Sequence, residues 1–86
     1  MPFDEGRVEA LYREIFADLL VDRDEIKELT ALYKESHPPK DKLRWTRSSA
    51  FRIASEFVST NDKAANVALL RCINSIVHSF ETNCLT

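Results

Sequence analysis

The sequence predicts an all-α fold, a compact four-helix bundle with helices over residues 4–20, 22–35, 42–58 and 61–82, on three observations. Four stretches place apolar residues three and four apart, the repeat of a helix with one buried face. Asp, Ser or Thr residues suited to the N-cap position stand ahead of each stretch. A single glycine in 86 residues and no alternating apolar and polar run leave little material for strands and tight turns. The length fits one domain, 1–86, small enough that only about 60–65% of the unfolded surface can be buried.

Asp4 announces the first helix as N-cap, with Phe3 and Val8 related as a hydrophobic staple. Val8, Leu11, Tyr12, Ile15, Phe16, Leu19 and Leu20 then complete an amphipathic pattern. The second helix opens on a capping box in which Asp22 accepts from the Glu25 amide and the Glu25 side chain reaches back, Val21 and Ile26 forming its staple. So little chain separates Leu20 from Asp22 that the two helices must turn a corner on each other. Ser36-His37-Pro38-Pro39 ends the second helix, because proline supplies no amide and biases its predecessor away from α geometry. The third helix can begin after Asp41 or after Thr46. Its apolar set is Ala50, Phe51, Ile53, Ala54, Phe57 and Val58, joined by Leu43 for the earlier start, and Trp45 falls opposite that face. Ser59-Thr60-Asn61-Asp62 offers several N-caps for the last helix, beyond which residues 83–86 are expected to fray.

The last helix carries the most distinctive signal. At 100° per residue, Ala65, Ala68, Leu69, Leu70, Cys72, Ile73, Ile76, Val77 and Phe80 sweep roughly 200°, about twice the stripe of a one-sided helix. Such a helix needs cover on two sides, either from the rest of its chain or from a second copy. Leu70, Ile73, Val77 and Phe80 are the candidate self-association residues, and a homodimer is the assembly they suggest.

Charge and cysteine usage bound the function. The net charge of −2 conceals ten acids against five bases in residues 1–35 and seven bases against four acids in residues 36–86, poles suited to oriented contact with a charged partner or another copy. Cys72 and Cys84 would lie about 18 Å apart on a continuous helix, beyond disulfide reach. With a charged N-terminus that resembles no signal peptide, this predicts a cytoplasmic protein. The longest apolar run, Val67 to Leu70, is far short of the roughly 18 residues of a membrane span. Cys84 stands one residue too close to the end for a prenylation box.

Chemistry-bearing patterns are sparse. An EF-hand counted from Asp18 would need glycine at Arg23 and an acid at Leu29, and counted from Asp22 an acid at Tyr33. The run Ala17-Asp18-Leu19-Leu20-Val21-Asp22-Arg23-Asp24-Glu25 resembles, over nine residues and without its glycine, the A-D-G-x-V-D-x-x-E turn of tellurite-resistance TerB-like modules; two helices meeting at a capped corner account for it equally. Cys72 and His78 project roughly 120° apart on their helix and cannot share zinc. Neither cysteine stands beside an oriented imidazole, and no glycine-rich loop could cradle phosphate. The expectation is a non-enzymatic chain with no cofactor and no metal.

One surface stretch is unusual. Between Lys40 and Arg52, five bases interleave with Trp45 and several hydroxyls. Trp and Arg are the types most enriched at protein hot spots, so Arg44, Trp45, Arg47 and Arg52 are the candidate partner-binding residues. The same residues could contact phosphates and stack on bases, but a chain of pI near 5.6 lacks the net basic field of nucleic-acid modules. The sequence thus points to a small cytoplasmic interaction or regulatory protein acting through helical surfaces, with a protein partner and possible self-association. The alternative is a helical nucleic-acid-binding or transcription-associated factor using segment 40–52.

Overall fold

The computed structural model describes residues 4–34 and 39–84, and they form four α-helices: α1 (Glu5–Asp18), α2 (Arg23–Lys34), α3 (Pro39–Ala54) and α4 (Lys63–Cys84). A single 3-10 turn, Ser55–Phe57, follows α3, and there is no strand among the described residues. Phe3, the Ser36-His37-Pro38 stop and residues 85–86 lie outside the described residues.

Side-chain caps define the starts. Asp4 Oδ1 accepts from the Arg7 amide at 3.0 Å, and Asp62 Oδ1 from the Ala65 amide at 3.0 Å. At α2 the Glu25 carboxylate reaches back to the Asp22 amide at 3.0 Å, but Asp22 Oδ1 takes the amide of Asp24, at 3.2 Å, in place of that of Glu25. Pro39, expected as a helix breaker, is the first residue of α3. Its fixed φ is helical and its missing amide is one that a first turn leaves unused.

The first helix ends two residues before its apolar pattern does. Leu19 adopts the left-handed conformation, φ 57° and ψ 29°, so the chain leaves the helix axis there. Leu19 and Val21 still turn inward onto the core, and Leu20 between them is thrown outward to 70% exposure. The expected place of Leu20 on the buried face of α1 is thereby corrected.

Around the bundle the order is α1, α3, α4, α2. The α3–α4 pair is the most extensive, α1 packs on α3 and α2, α4 packs on α2, and α2 and α3 barely meet. At 1.5 Å per residue the 22 residues of α4 run about 33 Å along a molecule whose longest dimension is 41 Å. Its apolar arc is largely consumed internally: Leu69, Cys72, Ile73, Ile76 and Phe80 join Val8, Leu11, Tyr12, Ile15 and Phe16 of α1 in one core. Tyr33 meets Phe80 edge to face at 4.6 Å, and Phe16 bridges Tyr12 and Phe57.

Within the core, the Tyr12 and Tyr33 hydroxyls share a hydrogen bond of 2.8 Å. Burial pushes the Tyr12 phenol up to about 12, against the lowering effect of Tyr33 and the nearby hydroxyls of Ser49 and Thr46. Ser49 donates to the Trp45 carbonyl at 2.6 Å, and the buried Thr46 Oγ1 reaches no partner at hydrogen-bond distance among the described residues.

Candidate docking groove

The face that α3 turns inward is not the one its large residues suggest. Thr46, Ser49, Ala50, Ile53 and Ala54 are buried, so small and hydroxyl side chains let α3 approach the core closely. Phe51 points about 130° away from the mean direction of that set and is 54% exposed; Val58, beyond the 3-10 turn, is 57% exposed. Both were expected in the core. Periodicity alone selects Phe51 because it is large and apolar, yet closest packing selects Thr46 and Ser49 in its place.

On the facing helix, Leu70 is 51% exposed and lies about 100° from the centre of the buried face of α4, with Val67 one turn before it at 48%. The two helices therefore border an open groove of about 310 Å3 whose walls include Phe51, Ala54, Val58, Leu69, Leu70 and Ile73. At the Ser55–Asp62 end, Asn66 clasps the connecting segment: its Oδ1 accepts from the Ser59 amide at 2.9 Å and its Nδ2 donates to the Ser59 carbonyl at 2.8 Å. The connection is thus held as one wall of a preformed cleft.

Toward the start of α3 the groove continues past Phe51 into a more open depression lined by Leu43, Arg44, Arg47 and Ser48, with no carboxylate among the described residues of its wall. Arg47 is held by Glu81 across the helix pair at 2.9 Å, whereas Arg44 forms no ion pair among the described residues. The described surface is thus apolar at one end and carries the cation of Arg44 at the other.

The predicted partner-binding set is split by this arrangement. Arg44 and Arg47 border the groove, but Arg52 lies on the opposite flank of α3, where its guanidinium meets Glu9 of α1 at 2.8 Å. Trp45, expected to face outward, is half-buried and packs against the core, because the inner face of α3 is centred on Thr46 and brings the indole to its edge. Of the self-association set, Leu70 is exposed and Val77 half-buried, while Ile73 and Phe80 are 2% and 1% exposed inside their own chain. Those two are core residues, engaged by α3 and α2, and are not available to a second copy.

Other reactive groups are elsewhere. The Cys72 thiol is free and buried, and burial, with a smaller push from Glu25, raises it above its ordinary range. Among the described residues no cluster of His, Cys, Asp and Glu is placed to hold a metal ion, and no helix is long and apolar enough to cross a membrane. The chain matches no protein-family model, no curated protein and no solved structure.

Proposed function

We propose that the chain is a small non-enzymatic interaction protein whose working surface is the α3–α4 groove. One observation carries this reading: Phe51, Val58 and Leu70, each more than half exposed, ring a single cleft between two helices. Apolar patches on the order of a few hundred Å2 are as large as monomeric proteins ordinarily show and are often functional. An aromatic residue at the centre of a groove with a charged rim is the usual composition of a protein hot spot. A cytoplasmic setting belongs to the same reading and is supported by the free buried thiol of Cys72. The pairing of Arg47 with Glu81 and Arg52 with Glu9, and the inward packing of Trp45, favour a protein partner over a nucleic acid.

Site-specific photocrosslinking in the native cells tests this. A benzophenone side chain at position 58 or 70 is expected to give discrete protein adducts that disappear on adding Phe51→Glu, while the same probe at the exposed positions of Glu14 or Lys27 gives none. Equal labelling from all four positions would overturn the groove as a docking site. Nuclease-sensitive adducts would transfer the function to nucleic-acid binding.

A further inference from the structure

Among the described residues, the most exposed large apolar side chain is not in the groove. Leu20, 70% exposed, stands at the α1–α2 corner, held outward because Leu19 and Val21 on either side of it are committed to the core. The backbone there is fixed by the left-handed Leu19 on one side and the Asp22–Glu25 capping bonds on the other. The corner is therefore a preformed knob. Asp18, Asp22 and Asp24 flank it, all exposed and all without an ion pair among the described residues, and Arg23 is the one base between positions 18 and 24. An apolar knob set in carboxylates is the complement of an apolar cleft that runs on to Arg44, which has no ion pair among the described residues.

Resting on the groove as docking surface, we infer that its occupant is the α1–α2 corner of a second copy of this chain. Leu20 of one copy enters between Phe51, Val58 and Leu70 of the next, and Asp18 and its neighbours face Arg44. The opposite charge balance of residues 1–35 and 36–86 aligns the two copies head to tail before contact. Such a contact is heterologous, since knob and groove are different surfaces. Each added copy brings a new free groove, so association continues beyond the dimer unless a ring closes. One knob and a few solvent-exposed charge pairs make a contact well below standard interface size, with dissociation constants on the order of 100 μM.

Sedimentation equilibrium up to about 1 mM, well above that constant, reads the assembly. The wild-type chain is expected to gain average mass steadily with concentration, and Leu20→Glu and Phe51→Glu are each expected to stay monomeric. Both positions are exposed, so far-UV circular dichroism and the melting transition should match wild type and exclude misfolding. The decisive sample is the equimolar mixture of the two variants. The intact groove of Leu20→Glu accepts the intact knob of Phe51→Glu, and the product stops at a dimer. Arg44→Glu should weaken wild-type association about three- to fivefold, the size of an exposed ion pair, and Asp18→Arg in the same chain should restore it. A wild-type chain that remains monomeric at about 1 mM overturns the head-to-tail contact but leaves the groove to a different partner, which crosslinks from positions 58 and 70 would still report. Dimers that survive Leu20→Glu, vanish with Phe51→Glu and do not return on mixing also overturn it, in favour of a face-to-face dimer through the same groove.

Discussion

Two residues test the local physics. Leu19 carries a Cβ in the left-handed region, a conformation that is strained by roughly 1 kcal/mol for residues other than glycine. Its side chain also packs on the core, so leucine is retained there against its backbone preference. Removing the side chain separates the two effects: Leu19→Gly relieves the strain and Leu19→Ala does not. The glycine variant should be the more stable of the two by about 1 kcal/mol in urea unfolding, the reverse of their order inside a helix; an alanine variant of equal or greater stability would contradict the backbone assignment. Tyr12 tests burial. Its phenol titrates near 12 in the folded chain and near 10 in the unfolded one, so below about pH 10 both states hold the proton and stability does not depend on it. As pH rises from about 10 to 12 the unfolded chain loses the proton first, and stability falls by on the order of 2 kcal/mol. Thermal melts across that range should decline more steeply for wild type than for Tyr12→Phe, and parallel declines would place the phenol in water.

At the scale of the element, the boundary between α1 and α2 rests on its cap. Asp22→Ala should lower stability by about 1 kcal/mol by leaving a first-turn amide without its acceptor. Glu14→Ala, on an exposed helix face, should stay within about 0.5 kcal/mol, and equal denaturant midpoints would remove the cap from its assigned role. Caps of this kind are why the helices were legible in the sequence: Asp4, Asp22 and Asp62 all stand where an N-terminus was expected, and each uses its carboxylate there. The apolar period similarly located the buried faces of α1 and α4. On α3 it located Ala50, Ile53 and Ala54 but wrongly took in Phe51 and missed Thr46 and Ser49, residues whose burial depends on how near another helix comes and not on their own hydropathy. The candidate site inherited that failure. Leu70, at the edge of a visibly wide arc, was legible; Phe51 was hidden because a phenylalanine at helical spacing reads as core, and Leu20 because nothing local announces that a leucine will take a left-handed turn one residue earlier.

The whole molecule is not equally tied together. α2 contributes two buried side chains, Leu29 and Tyr33, while α1 contributes five, and α2 barely touches α3. Its remaining hold includes a two-pronged ion pair between Arg7 and Glu28, which is partly exposed and so of small worth. A helix secured on two sides only can detach while its neighbours remain folded. Amide hydrogen exchange should therefore find α2 protected at least tenfold less than the 69–80 stretch of α4, in a partial opening that leaves α1, α3 and α4 closed. Identical protection in the two helices would make the domain a single cooperative unit. In the opened form Leu29 and Tyr33 leave the interior together, and the Tyr12 hydroxyl gains water in place of its phenolic neighbour. The hydroxyl pair at the centre of the bundle would then act as a latch, whose release frees a twelve-residue arm without unfolding the rest.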